Sequence, residues 1–178
     1  WVSRMLYAAA AFGLADRIAG SPKSAAELAG VTRTHAGSLH RLLRGLAAVG
    51  VLSEVDGGRF ALTALGEALQ TGAPGSARAT VLALAGDFWW RGWSQFLYCV
   101  ETGRTATEKE FGLTIFEYLA QHPEEASYFN EAMVGFHGDE PAAIAAAYDF
   151  SECQTVVDIG GGTGNLLTAI LRRHRGPR

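Results

Sequence analysis

Apolar residues recur at helical spacing through the first part of the chain. One face of a predicted long first helix carries apolar residues at intervals of four, namely Leu6, Ala10, Leu14 and Ile18. This helix is expected to end at Gly20. Ser24 and Glu27 form a capping-box pattern that opens a short second helix, and a third helix with leucines along one face follows over residues 34–49.

The pattern then changes to the alternation that is typical of strands. Residues 51–55 and 59–62 alternate around Asp56-Gly57-Gly58, which is a strong hairpin signal. Three helices followed by a hairpin predict a winged-helix arrangement. Further helices are predicted by periodicity or capping patterns over residues 76–85, 88–102, 114–122, 124–136 and 140–148, with a polar connector over residues 103–112.

A short β-branched run and a glycine-rich turn carry the candidate chemistry. Residues 156–159 predict a buried parallel strand, and an apolar helix begins at Asn165. Between them stand an acid and three glycines at alternate positions: Asp158, Gly160, Gly162 and Gly164. Strand, glycine turn and helix form the entry unit of a nucleotide-binding α/β fold, and glycines let a ligand approach the backbone closely. A plain glycine-rich loop is the alternative.

The spacing excludes two familiar ligand sites. A dinucleotide fingerprint that starts at Gly160 would need a glycine where Asn165 stands. A phosphate-binding P-loop would need a Gly-Lys-Ser or Gly-Lys-Thr triplet, which the sequence lacks. The turn therefore predicts a cofactor of another kind.

Composition narrows the class of protein further. The 178 residues are 48% hydrophobic with a net charge of −3, so a core is available and bulk charge does not indicate nucleic-acid binding. Cys99 and Cys153 are isolated, which fits a reducing cytoplasm, and no metal site is expected. No apolar run reaches membrane-spanning length, so no membrane partner is expected.

The whole chain resembles the O-methyltransferases that include plant caffeic-acid-type enzymes and bacterial polyketide and anthracycline tailoring enzymes. Asp158 and the glycines resemble the first motif of S-adenosylmethionine (SAM)-dependent methyltransferases in general. The family is indicated by segments in a fixed order: the winged-helix stretch 24–65, a Trp-rich helix ending at residues 101–103, Phe-Asn-Glu-Ala-Met at 129–133, and Tyr-Asp-Phe-Ser at 148–151. The Phe-Asn-x-Ala-Met element narrows the resemblance most.

The resemblance implies a cofactor, an acceptor and a set of site residues. The cofactor would be SAM, and the acceptor a small aromatic, phenolic molecule. Cofactor binding is implied for Asp158, Gly160, Gly161, Gly162, Gly164, Phe129 and Met133. The substrate pocket is implied to include Trp89, Trp93, Phe129, Met133 and His137. Core packing stays the alternative for Phe129 and the tryptophans, and a capped or solvent-facing position is favoured for His137.

The resemblance also implies how the chain is organised. Residues 1–75 would form a mainly α winged-helix dimerisation domain that makes a homodimer through its N-terminal helices and does not bind DNA. Residues 76–150 would form a helical linker with the substrate pocket, and residues 151–178 an incomplete start of a Rossmann-like α/β SAM-binding domain. One strand and one helix cannot make a parallel sheet. We therefore expect a piece of a longer protein that is inactive alone, with the catalytic histidine beyond residue 178.

Two other classes of protein stay open. A winged helix also suggests a DNA-binding regulator whose third helix enters the major groove. Residues 1–75 carry seven basic and five acidic side chains, a net charge of +2 that is weak for a phosphate-binding surface. The other class is a catalytically inactive methyltransferase homologue that serves as an interaction subunit.

Overall fold

A computed structural model describes residues 1–73 and 75–174. Helices dominate it, and a small sheet lies in the N-terminal part. The helices are α1 (Val2–Ala11), α2 (Leu14–Ile18), α3 (Ala25–Thr32), α4 (Ala36–Ala48), α5 (Ala64–Glu67), α6 (Arg78–Leu84), α7 (Asp87–Ser94), α8 (Phe96–Thr102), α9 (Ala106–Phe111), α10 (Ile115–Gln121), α11 (Pro123–His137), α12 (Glu140–Ala147) and α13 (Asn165–Arg173). The strands are β1 (Lys23–Ser24), β2 (Leu52–Val55) and β3 (Arg59–Leu62).

The hairpin and the helices beside it form where the sequence predicts them. β2 pairs antiparallel with β3, with Leu52 opposite Leu62, and β1 lies along the other side of β3. Leucines of α2, α3 and α4 pack around one aromatic ring of β3, and the fully buried members of this core are Leu14, Leu28, Leu43, Leu46 and Phe60. The N-terminal part therefore has a core of its own.

The predicted long first helix is divided into α1 and α2, which corrects the prediction. Gly13 lies at the junction with φ of +57°, a left-handed conformation that residues with a Cβ rarely adopt. The helical spacing nevertheless identified core positions, because Ala10, Leu14 and Ile18 are all buried.

A capping box starts α3, as predicted. The Ser24 hydroxyl accepts a hydrogen bond from the Glu27 backbone N–H, and the Ser24 backbone N–H donates to the Glu27 carboxylate over 2.8 Å. Thr114 and Glu117 repeat the arrangement at the start of α10. Both boxes satisfy amides that a helix N-terminus otherwise leaves without partners.

Lowering the pH is expected to weaken the α3 capping box. Hydrogen bonds from the Ser24 backbone and hydroxyl hold the pKa of Glu27 below its ordinary value of 4.5. A carboxylate with a lower pKa in the folded state stabilises the fold above its unfolded pKa, and that contribution is lost as the pH falls through the folded pKa. The urea midpoint should therefore drop less on acidification in Glu27→Gln than in the wild type. Glu54→Gln, an exposed change on β2, should keep the wild-type pH dependence.

The polar connector predicted over residues 103–112 contains a helix, which is a second correction. Thr105 caps α9 through the Glu108 backbone N–H, and Gly112 ends it in a left-handed conformation. Glu110 of α9 forms an ion pair with Arg91 of α7 over 2.7 Å. A charged helix of this length has too little apolar periodicity for recognition from the sequence.

Residues 156–159 form no strand in the described part of the chain, which corrects the predicted buried strand. Val157 is 75% exposed and Ile159 is 93% exposed. A strand is held by hydrogen bonds to a neighbouring strand, and the sheet of the described residues contains only β1, β2 and β3. The predicted helix behind this segment does form, as α13, and it packs on α12 with Ile170 and Ala145 buried.

Within residues 1–73 and 75–174, no helix has both the length and the apolar character that crossing a membrane requires. The same residues contain no group of three or more His, Cys, Asp and Glu side chains arranged to hold a metal ion.

Candidate functional site

The glycine-rich turn before α13 has a backbone that depends on its glycines. Gly160, Gly162 and Gly164 have φ of +75°, +55° and +74°. Residues with a Cβ adopt these left-handed conformations only with strain. Gly164 is the N-cap of α13, so the turn leads directly to a helix N-terminus, where free backbone amides and the helix dipole favour negative or hydrogen-bond-accepting ligand groups.

Asp158 and Gly161 fit together at the start of this turn. A Cβ on residue 161 would overlap the Asp158 carboxylate, so the glycine leaves the room that this carboxylate occupies. Asp158 Oδ2 is buried and has no hydrogen-bond partner in the described residues. A buried carboxylate oxygen without a donor is costly. The turn therefore fits a ligand that brings its own donor, such as an ammonium or a hydroxyl group.

An aromatic cavity of about 200 Å³ lies among α1, α6, α7, α10 and α11. We name it the α1–α11 cavity. Its lining consists of Tyr7, Leu82, Ala83, Gly86, Asp87, Phe88, Trp89, Leu119, Glu124, Glu125, Tyr128 and Phe129. Two of the predicted pocket residues, Trp89 and Phe129, meet here although they belong to different helices.

A second cavity, of about 190 Å³, lies among α7, α8 and α9 and is named the α7–α9 cavity. Trp93, another predicted pocket residue, lines it together with Phe96 and Phe111. Phe88 and Trp89 line both cavities. These two residues therefore lie between the α1–α11 cavity and the α7–α9 cavity. The Phe88 ring also stacks on the Phe111 ring, with centroids 5.1 Å apart.

The remaining predicted pocket residues lie apart from these two cavities. Met133 is half-buried on α11 and lines neither of them. His137 is exposed at the end of α11, where its Nδ1 lies 2.8 Å from the Glu140 carboxylate. The structure thus brings Trp89 and Phe129 together and places Met133 and His137 elsewhere on α11.

Sequence reasoning missed the part of the α1–α11 cavity that comes from α1. Tyr7 reaches the cavity from a helix far away in sequence, and no local pattern indicates this contact. Arg4, one turn earlier, connects α1 to the cavity wall. Its guanidinium donates to the Ala85 carbonyl over 2.8 Å and lies over the rings of Tyr7 and Trp90.

The acidic side chains of the cavity help to raise the pKa values of two nearby tyrosines. Tyr128 donates a hydrogen bond to the Glu124 carboxylate over 3.2 Å. Partial burial, and then this carboxylate, raise the pKa of Tyr128. Partial burial, and then the charge of Glu125, raise the pKa of Tyr118. Both phenols therefore stay protonated at neutral pH, and Tyr128 donates its hydrogen bond to Glu124.

A helical N-terminal part, an aromatic cavity and a glycine turn at a helix N-terminus are typical of a class of proteins that hold a small cofactor beside an organic ligand. Comparison with known families agrees with this class. Residues 1–72 match the O-methyltransferase dimerisation domain, and residues 93–176 match the O-methyltransferase domain. The chain belongs to this family of O-methyltransferases.

Individual relatives show how much of such a protein the chain represents. It is 46% identical over 172 residues to the phenazine O-methyltransferase PhzM of Lysobacter antibioticus, covering 97% of this chain and 50% of that protein. It is also 36% identical over 175 residues to the aclacinomycin 10-hydroxylase RdmB of Streptomyces purpurascens, covering 94% of this chain and 46% of that protein. The chain thus spans about half the length of the curated relatives it matches.

A solved structure extends the likeness to three dimensions. The O-methyltransferase NcsB1 from neocarzinostatin biosynthesis, in complex with SAM and 2-hydroxy-5-methyl naphthoic acid, superposes with a TM-score of 0.83. The identity is 33%, and the superposition covers 99% of this chain and 55% of that one.

Proposed function

We propose that the protein is a SAM-dependent O-methyltransferase of a small aromatic, phenolic acceptor. The observation that carries the proposal is the glycine turn, in which the buried Asp158 Oδ2 lacks a donor beside backbone that only glycines adopt readily. The family match and the NcsB1 complex with SAM and a naphthoic acid support the same reading.

The cofactor would lie along the glycine turn. Asp158 would accept hydrogen bonds from its ammonium group, and Gly160, Gly162 and Gly164 would let the backbone approach it. When bound, SAM supplies an electrophilic methyl group. Phe129 and Met133 are four residues apart on α11, so they share one face of that helix and are proposed to contact the cofactor and the acceptor from there.

The acceptor would lie in the α1–α11 cavity. Flat rings are well held by aromatic walls such as Trp89 and Phe129. The contribution of these residues is to orient the acceptor and exclude water, since methyl transfer is a displacement that depends on alignment. A phenol has a pKa of about 10, so a base helps the reaction at neutral pH. We place this base, a histidine in the family, beyond residue 178.

The division into units is proposed as follows. Residues 1–75 form a winged-helix dimerisation domain, residues 76–150 a linker with the pocket, and residues 151–178 the start of a Rossmann-like domain. The match of residues 1–72 to a dimerisation domain supports a homodimer. Leu14 is 1% exposed and belongs to the core of its own chain, so it is not free to contact a partner. The exposed apolar side chains in and beside α1 are Trp1, Val2 and Phe12, and these are proposed to face the partner. Sedimentation of the full-length protein at micromolar concentration should show a dimer, and a clean monomer would contradict this assembly.

The alternative of a DNA-binding regulator is less well supported. Two of the α4 side chains that it would use to contact DNA already have hydrogen-bond partners within their own helix. His35, at the start of α4, caps that helix by accepting from the Ser38 backbone N–H over 3.2 Å. Arg41 lies 3.4 Å from the Ser38 hydroxyl. Salt-sensitive binding to duplex DNA in a gel-shift assay would favour the regulator.

Calorimetric titration of S-adenosylhomocysteine (SAH) into the full-length protein tests the proposed function most directly. Saturable binding with one site per chain is expected. Absence of SAH binding would contradict a methyltransferase and would leave an interaction subunit as the better reading.

Truncating one phenylalanine in each cavity should show which of them holds the acceptor. Phe129→Ala removes a wall of the α1–α11 cavity only, and Phe96→Ala removes a wall of the α7–α9 cavity only. Loss of one aromatic contact is expected to raise the KM for the acceptor of the full-length enzyme roughly tenfold in Phe129→Ala, from about 1 kcal/mol of ring contact plus lost burial. Phe96→Ala should leave the KM near the wild-type value. The reverse result would place the acceptor in the other cavity.

A further inference from the structure

The α1–α11 cavity combines aromatic walls with an acidic lining. Five rings line it: Tyr7, Phe88, Trp89, Tyr128 and Phe129. Three carboxylates line it as well, and none of the described lining residues is Lys, Arg or His. We propose that this cavity selects aromatic ligands that carry an amino group or a positive charge, and disfavours aromatic carboxylates. The inference rests on the proposed function, because it names the acceptor class for the same site.

The three carboxylates come from two helices. Asp87 lies in the first turn of α7, and Glu124 and Glu125 lie in the first turn of α11. All three line the space that already brings Trp89 and Phe129 together. A ligand stacked on these rings would therefore have carboxylates within reach, and a cation over a ring face gains further from the ring quadrupole.

Three arginines outside the lining offset only part of the negative charge of these carboxylates. Arg78 of α6 acts on Tyr128, whose pKa it lowers against the larger effects of burial and Glu124. Arg4 lies 3.4 Å from Asp87 and balances that carboxylate. Arg91 of α7, whose charge lowers the pKa of Tyr118, is paired with Glu110 over 2.7 Å. Glu124 accepts from the neutral Tyr128 hydroxyl, so this contact leaves its negative charge in place. The positive end of the α11 dipole amounts to about half a charge, less than the two glutamates beside it.

The negative charge of the lining should favour ligands with an amino group over ligands with a carboxylate. A ligand amine would add hydrogen bonds and favourable Coulomb energy with Glu124 and Glu125. A ligand carboxylate would meet like charge beside it and would find no cationic side chain in the lining. Discrimination between matched amines and carboxylates should therefore depend on the two glutamates of α11.

Three naphthalene probes of equal ring size test the proposal on the full-length protein saturated with SAH. They are 1-naphthylmethylamine, which is a cation at neutral pH, 1-naphthoate, which is an anion, and the neutral 1-naphthylmethanol. Calorimetry should give a Kd for the amine at least about tenfold lower than for the carboxylate, since tenfold corresponds to about 1.4 kcal/mol. The neutral alcohol should lie between them.

The double variant Glu124→Gln and Glu125→Gln should reduce the ratio of the two Kd values to near unity. Its Kd for the neutral alcohol should stay unchanged, which shows that the cavity is still folded. Glu131→Gln, an exposed change on the same helix outside the cavity lining, should keep the wild-type ratio. A carboxylate that binds as well as the amine, a ratio that the double variant does not alter, or no binding of any probe would overturn the proposal. SAH binding is measured in a separate titration. Normal SAH binding together with any of these results would contradict the charge selection and not the proposed function.

Discussion

Replacing Gly161 by alanine is expected to weaken SAH binding by the full-length protein on the order of ten- to a hundredfold. The added Cβ would occupy the space of the Asp158 carboxylate and force it to turn away from its present position. Moving a charged acceptor out of hydrogen-bond reach costs about 1.5–3 kcal/mol, which corresponds to this loss of affinity. Calorimetric titration of SAH measures the effect directly.

Two further variants make this result interpretable. Asp158→Asn should weaken SAH binding in the same direction, because it removes the charge without adding volume at residue 161. Gly30→Ala is the matched control, since its Cβ would meet nothing within 4 Å and it lies inside α3. Gly30→Ala should bind SAH like the wild type and unfold at a slightly higher temperature. Wild-type affinity in Gly161→Ala would show that Asp158 does not hold the cofactor.

Truncating Phe60 to alanine is expected to destabilise the N-terminal part by about 3–5 kcal/mol, the usual cost of removing a fully buried phenylalanine. Phe60 is 0% exposed on β3 and meets the ring of His40 edge-on, with centroids 5.9 Å apart. It lies among leucines of α2, α3 and α4, so its loss opens a cavity in the core of that part. Urea unfolding followed by circular dichroism measures the change.

Phe116→Ala is the matched control for this second substitution. Phe116 is 73% exposed on α10, and the same chemical change there should cost little. Equal destabilisation by the two substitutions would mean that the core around β3 does not carry the stability of this part.

Local signals in the sequence predicted much of the helical fold. Both capping boxes and the hairpin around Asp56 depend on neighbours within a few residues, and all of them form. The division of the first helix at Gly13 was missed because glycine inside an apolar pattern is often tolerated in a helix. α9 was missed because its short sequence is mostly polar.

The candidate site was predictable only where its parts are local. Asp158 and the glycine turn are contiguous, so their spacing predicted a candidate ligand site there, and the resemblance implied that the ligand is SAM. Trp89 and Phe129 were chosen from the resemblance, and their presence in one cavity depends on α6, which packs against both α7 and α11. Tyr7 and Arg4 could not be found in this way, because a contact between α1 and α7 leaves no trace in local periodicity.

The predicted strand at residues 156–159 illustrates a different limit. Its β-branched composition is a local property, but a strand exists only as part of a sheet. Val157 and Ile159 are exposed because the described residues place no strand beside them. A β-branched run is therefore not enough to predict a strand, because a strand also needs a neighbouring strand to pair with.

The contact of α1 with the cavity has a consequence for recombination between relatives. Tyr7 lines the cavity and Arg4 donates to the Ala85 carbonyl, so a segment that matches a dimerisation domain also builds part of the cavity wall. A chimera joined between α5 and α6 would combine a Tyr7 and an Arg4 from one parent with an α7 and an α11 from another. If the cavity holds the acceptor as proposed, such a hybrid would have a mixed cavity wall, and its acceptor preference would match that of neither parent. A junction placed after α11 takes all lining residues of the cavity from one parent.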